Sequence, residues 1–280
     1  MTQIYPKFVL KQPSMLLASG LSRPMIPKLR QYIRSLEKEA IPQLSVNCVI
    51  FGFHERTLHV VVNRIALQGT RIVLLPGGFV GQNEDVSKAV SRIVKESTSL
   101  ERMMFQQFAV FGDASRTFGK EFRSLVSNLS ETEKAELAWI SRRFVTICYM
   151  ALVNFEKIKL HPTLYLETAE WMPIEKSKAL SLDHKDIVEH ALGTLRKELP
   201  YAPIASNLLP AKFTLPDLHA LTEAILGRSI DRPNFRRKIL KSGQIVKVGQ
   251  DDSGQRRPAD LYAFRHGKRT SIIDEYKFGF

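Results

Sequence analysis

The run from Ile72 to Leu100 constrains this chain more than any other part of it. Ile72-Val73-Leu74-Leu75 is a short apolar stretch that ends at Pro76-Gly77-Gly78, so a strand must turn sharply there. From Glu84 onward Val86, Ala89, Val90, Ile93 and Val94 recur at helical spacing and form one apolar stripe. A strand, a glycine turn and an amphipathic helix in this order require a sheet for the helix to lie on. Alone, the segment also fits an ordinary helix packed on a sheet.

The polar residues of the run carry a more specific signal. Gly78, Glu84, Arg92, Val94, Glu96 and Leu100 stand in the register of a Nudix box, and the segment resembles that loop-helix. A Nudix box holds a divalent metal against a diphosphate. The departures fall on the chemistry: Ile93 and Ser97 occupy two metal-ligand glutamate positions, and Ser99 replaces the glycine. A hard cation needs several oxygen ligands, and Lys95 beside Glu96 makes the local charge worse for one. The expectation is a Nudix fold that no longer hydrolyses, with no catalytic residue, no metal ligand and no cofactor.

With 280 residues the chain has room for two ordinary domains. A hydrophobic content of 44% fits a globular protein, and no window offers the roughly 18 to 20 uninterrupted apolar residues of a membrane span. No signal peptide is expected, because no long apolar core follows Met15-Leu16-Leu17-Ala18. Only Cys48 and Cys148 are present, each in an apolar run, which excludes a disulfide framework or a zinc site and suggests the cytoplasm. The balance of 41 basic to 28 acidic residues, net +13, favours a polyanionic partner. No strongly basic amphipathic helix argues for a membrane instead.

Residues 1–43 read as an extension with a helix over Ile26 to Ala40. Strands are expected at Asn47–Phe53, Leu58–Val62, Ile72–Leu75, Phe105–Phe111 and Phe144–Leu152. Ser130-Glu131-Thr132-Glu133 has capping-box spacing and starts a helix within an insertion, about 117–143. A helix from His184 to Glu198 closes a domain spanning 44–199. Residues 200–210, opening on Pro200-Tyr201-Ala202-Pro203, read as a linker, and 211–280 as a second domain. There, Thr214-Leu215-Pro216-Asp217 and Asp231-Arg232-Pro233-Asn234 are two helix starts, each a capping side chain followed by proline in the first turn. Ile245–Val248 and Ala259–Phe264 follow as a β-hairpin. Helix, turn, helix and hairpin is the order of a winged helix-turn-helix.

On the second of these helices Phe235 and Ile239 face the core, while Asn234, Arg237 and Lys241 gather opposite, flanked by Arg236 and Lys238. Such a face suits the DNA major groove, where arginine reads guanine and asparagine reads adenine. The flanking Arg236 and Lys238, with Lys247, Arg256 and Arg257 on the wing, would hold phosphates, and Arg232 at the helix start is a further DNA-binding candidate.

Taken together the chain resembles the Nudix-related transcriptional regulators. The resemblance runs through Ile204–Leu215, Glu223–Gly227, Asp231–Lys238 and Arg257–Tyr262. In the first domain it rests on Pro76–Val80, Phe111-Gly112-Asp113 with Arg116, and Leu182-Asp183-His184. It implies an α/β fold, a Nudix-like α/β/α sandwich with a mixed sheet followed by a winged helix. It also implies a homodimer on a near-palindromic double-stranded DNA operator, with a small-molecule effector in the old Nudix pocket. Family members sense ADP-ribose or sugars, and the eroded box leans towards a sugar or sugar phosphate. Phe79, Glu96, Asp113 and Arg116 are the effector-binding candidates. Glu96 could also simply face solvent, Arg116 could brace its loop, and His184 reads as a helix cap. A working hydrolase using Glu84 and Glu96, or a sensor for a protein partner, are the competing readings.

Overall fold

A computed structural model of the chain describes residues 31, 34–67, 70–98, 104–114, 116, 135, 138–139, 142–161, 168–198, 207–251 and 258–265. The first half is a seven-stranded mixed sheet. Its centre is β1 (Ala40–His54), parallel to β6 (Val145–Val153) and antiparallel to β2 (Thr57–Leu67). β3 (Thr70–Leu74) and β7 (Thr168–Pro173) pair with β2, β4 (Gly77–Gly81) with the first half of β1, and β5 (Gln106–Phe111) with β6. Two helices cover its faces, α1 (Val86–Ser97) on one and α2 (His184–Glu198) on the other.

Strand alternation sorts the core. Val46, Cys48 and Ile50 point towards Val90, Ile93 and Val94 of α1. Val49 and Phe51, one residue out of phase, point towards Ile187, Ala191 and Leu195 of α2. Cys48 and Cys148 accordingly join opposite interiors as free buried thiols. Burial pushes both thiols up, Cys148 to about 12, so they behave as small apolar side chains.

All five expected strands form, and the structure adds others. Gly77–Gly81, expected only as a turn, is a strand because it runs antiparallel beside β1. The approach is close: a Cβ on Gly77 would meet Asn47 Oδ1 at 2.0 Å, so only glycine fits. Residues 34–39 are helical, but Ala40 already pairs with Gly81. The sheet therefore begins inside the stretch expected to be an extension. The inserted helix over 130–140 lies largely outside the described residues.

The second half has the expected order: β8 (Phe213–Thr214), α3 (Leu215–Leu226), α4 (Arg232–Lys241), β9 (Ile245–Asp251) and β10 (Ala259–Phe264). The strands pair as β8-β10-β9. Thr214 closes a reciprocal capping box with Asp217, and Gly227 ends α3 at φ 70. The Asp231 side chain caps α4 by accepting from the Asn234 N–H at 2.9 Å.

The two halves share one interior. Leu218, Leu221 and Ile225 of α3 lie in the same buried cluster as Val60 and Val62 of β2 and Ile187 and Leu195 of α2. Leu208 and Leu209 of the expected linker are buried in it too. The described end of that segment, 207–210, is docked, because its leucines seal the seam. The whole chain should therefore unfold in a single calorimetric transition. Leu221→Ala should lower its stability by roughly 2–5 kcal/mol without splitting it; two separated transitions would disprove the shared interior.

Candidate functional site: a self-paired box helix and a basic recognition helix

The box helix begins after Asp85 and buries Ala89, Val90, Ile93, Val94 and Ser97. Ile93 lies over Gly78, whose missing Cβ would sit 3.1 Å from the Ile93 side chain. Two positions that carry metal ligands in the matching pattern are thus core positions here. The surviving charges pair with one another. Arg92 Nε donates to Glu84 Oε1 at 2.8 Å, and its Nη2 donates to Glu84 Oε2 and to the Phe79 carbonyl, each at 2.9 Å. Glu84 Oε2 also accepts from the Gly81 N–H at 3.0 Å. The hydrogen bonds and charge of Arg92, helped by Gly81, hold the Glu84 carboxyl below its usual range against the burial that would raise it. Glu96 takes the remaining reach of Arg92, at 3.4 Å. Among the described residues no group of three or more His, Cys, Asp or Glu side chains is arranged to hold a metal ion.

The effector candidates fall around Phe144. The Phe79 ring packs against Trp139 and Phe144, with centroids 5.1 and 5.3 Å away. Arg116 Nη1 donates to the Phe144 carbonyl at 2.8 Å and to Thr146 Oγ1, while Nε and Nη2 grip the Asp183 carboxylate. Most of its donors are therefore engaged within the protein. Asp113 is exposed and meets Arg116 through its backbone carbonyl, 3.1 Å from the Arg116 N–H. Glu96 reaches Phe79 only indirectly, through Arg92. Phe79 and Arg116 thus come together, and Asp113 and Glu96 stand at the margins.

Sequence reasoning missed the polar network behind this cluster. Ser45 Oγ lies 2.6 Å from Thr146 Oγ1. His184, expected as a cap, instead cross-links the sheet. Its ring is buried, Nδ1 accepts from the Leu75 N–H at 2.8 Å, and Nε2 lies 3.2 Å from the Asn47 amide. The helix start falls to Asp183, whose carbonyl accepts from the Asp186 and Ile187 N–H groups. The available signal was Asn47 and Thr146, polar residues inside otherwise apolar strands. Burial lowers His184 to about 4, the charge of Arg116 adding to it and that of Asp183 opposing it, so the ring is neutral near pH 7. Burial works to raise the Asp183 carboxyl, but the Arg116 bonds and charge outweigh it and hold it below its usual value.

On the recognition helix Phe235 and Ile239 are buried as expected. Arg232, Arg236, Arg237 and Lys241 are exposed, with Asn234 and Lys238 partly buried. Asn234 is tied to Arg237, its Oδ1 accepting from Arg237 Nη2 at 3.0 Å. Lys247 on the wing is not an unpaired cation: its Nζ lies 2.6 Å from Asp260, which also accepts from Gln250 at 3.2 Å. The Lys247 hydrogen bond, then that of Gln250 and the nearby charges of Lys247 and Arg236, hold Asp260 below its usual value. Arg256 and Arg257 lie outside the described residues. The turn into α4 is clamped by α3. His219 Nε2 donates to the Ile230 carbonyl at 2.9 Å, its Nδ1 lies 3.3 Å from Glu223, and Glu223 accepts from the Ile230 N–H at 2.9 Å.

Residues 205–264 match the family of NrtR DNA-binding winged helix domains. The chain is 27% identical over 244 residues to the ADPR responsive transcriptional repressor NtrR of Acinetobacter baylyi, spanning 85% of this chain and 86% of that protein. Its fold superposes on Shewanella oneidensis NrtR complexed with a 27mer DNA, with TM-score 0.61, 24% identity, and 80% and 94% of the two chains covered. It also superposes on a MutT/nudix family protein from Enterococcus faecalis, with TM-score 0.59, 16% identity, and 88% and 100% covered. Fold and sites together define a transcription regulator that joins a Nudix-like domain to a DNA-binding winged helix. Over most of its length the chain is similar to the Nudix-related transcriptional regulators. No described helix is long and apolar enough to cross a membrane.

The buried neutral His184 ties stability to pH with a definite sign. Its proton affinity is lower folded than unfolded, so the contribution is complete above about pH 6.5 and falls as pH drops towards 4. Chemical denaturation should find the protein about 2 kcal/mol less stable at pH 5 than at pH 7 from this group. His184→Gln should be weaker at pH 7 and flatter across that interval. An unchanged pH slope in the variant would disprove the assignment.

Proposed function

We propose that this chain is a cytoplasmic repressor that binds a near-palindromic operator as a homodimer and responds to ADP-ribose through its Nudix-like domain. The observation that carries the reading is α4: an apolar edge, Phe235 and Ile239, seats it on the winged helix while Arg232, Arg236, Arg237 and Lys241 face outward. ADP-ribose, rather than the sugar towards which the box leans, is supported by the relative from Acinetobacter baylyi, an ADPR responsive repressor. Phe79, with Trp139 and Phe144 behind it, offers a ring for stacking, and Arg116 would order the loop that carries Asp113. Glu96 stands at the rim, where a ligand hydroxyl can compete with Arg92.

The Nudix-like domain is inferred to bind without hydrolysing. Glu84 is spent on Arg92 and Gly81, and Ile93 and Ser97 are buried, so among the described residues no free carboxylate pair of the box remains to seat a metal against a diphosphate. Incubation of ADP-ribose with the protein and millimolar magnesium or manganese should release no AMP above a buffer blank. Turnover abolished by Glu96→Gln would instead establish the hydrolase reading.

DNA binding is tested by fluorescence anisotropy on the duplex upstream of this gene against random duplex at fixed salt. Specific binding should be tighter by a factor on the order of 10³ or more, and ADP-ribose should weaken it. Arg237→Ala should cost roughly 1–3 kcal/mol on the operator and relax one base position. Lys247→Ala should weaken all sequences alike and flatten the salt slope by about one unit at most, because Asp260 already neutralises part of that charge. Equal losses from both variants on operator and random DNA would overturn α4 as the reading helix.

A further inference from the structure

Helix α2 is fixed at both ends, and the two ends belong to different halves of the molecule. At its start Asp183 is held by Arg116, and His184 is bonded to Asn47 of β1 and to Leu75 just after β3. Along its middle Ile187, Val188, Ala191 and Leu195 share the interior with Leu218, Leu221 and Ile225 of α3. At its last turn Arg196 leaves the sensor: Nε donates to the Ile225 carbonyl at 2.7 Å. Its Nη2 lies over Gly227, 2.9 Å from where a Cβ would stand. Gly227, at φ 70, ends α3 and opens the turn through Ile230 that aims α4.

The last carbonyls of a helix lack partners within it and carry partial negative charge, which a guanidinium satisfies well. The apolar seam between the halves is non-directional and tolerates rotation. A hydrogen bond to a helix end is directional and does not. We propose that Arg196 is a positioning residue that sets the angle of the winged helix on the sensor, and with it the spacing of the two recognition helices in a dimer. The inference rests on the two-fold DNA-binding reading above. It also gives the sensor a route to the DNA, because α2 is one continuous helix of about 22 Å running from the Arg116–Asp183 pair to the end of α3.

The test uses full-length Arg196→Ala and Arg196→Lys. Anisotropy at fixed salt compares the complete operator with a duplex carrying one half-site. A misaligned dimer keeps each single contact and loses the gain from making both at once. Arg196→Ala should therefore bind the half-site like wild type and lose about tenfold on the complete operator. Arg196→Lys, which keeps charge and length but offers a less directional donor, should fall between them. Should Arg196→Ala fail to unfold cooperatively, the lysine variant carries the comparison. Wild-type affinity of both variants for the complete operator would overturn the proposal. So would equal losses on both duplexes, since Arg196 would then act on each winged helix alone. A wild-type protein that prefers the complete operator no more than the half-site overturns the two-fold reading itself and this inference with it, a failure visible without any variant.

Discussion

The apolar seam between β2, α2 and α3 is the constraint on which the rest of the molecule depends. Fully burying a leucine or isoleucine contributes roughly 1.5–3 kcal/mol, and Leu195, Leu208, Leu221 and Ile225 are all closed off from solvent in this one cluster. A winged helix of this size has a small interior of its own, with Phe235, Ile239, Ile245 and Tyr262 at its centre. Sharing an interior with the sheet enlarges it. The consequence bears on the proposed function: a winged helix that shares its interior with the sheet is exposed to changes in how that sheet packs.

On the opposite face of the sheet, local pairing gives the remnants of the box their form. The Nudix pattern needs Arg92 and Glu84 for folding as much as for chemistry, since together they tie the Phe79 carbonyl and the Gly81 N–H to the start of α1. The loop therefore keeps its shape with Ile93 and Ser97 in the interior. Apolar and small side chains at those two positions leave the frame standing. Gly78 shows the same logic: Ile93 has grown into the space beside it, so a glycine that leads into the box also serves the packing of the helix.

How far the sequence could be read follows from the range of the interactions. The strands around Val49 and Cys148 and the helices α3 and α4 were legible because local chemistry specifies them, through β-branched runs, capping residues, first-turn prolines and a terminal glycine. β4 was not, because Gly77–Gly81 has no strand composition and becomes a strand only through β1. The docking of Leu208 and Leu209 escaped for the same reason: a proline-rich lead-in reads as linker whether or not its leucines later find an interior. The side-chain network was the least legible part. Asn47, Thr146, Asp183 and His184 are far apart in the chain, and only the fold makes them neighbours.

The charged surface shows where composition overstates function. A net charge of +13 favours DNA in general, but the residues nearest the proposed groove are tied in pairs, Asn234 to Arg237 and Lys247 to Asp260. The Lys247–Asp260 ion pair removes some non-specific attraction, and both pairings fix a geometry. An arginine already oriented by its neighbour loses less conformational freedom on meeting a base edge, and a lysine anchored by a carboxylate holds the wing in register with α4. Discrimination between sequences depends on that order more than on the number of cations. A negative charge on Asp260, within the field of Arg236 and against Lys247, is therefore consistent with the proposed DNA reading: it weakens attraction to every duplex alike and leaves the exposed face of α4 untouched.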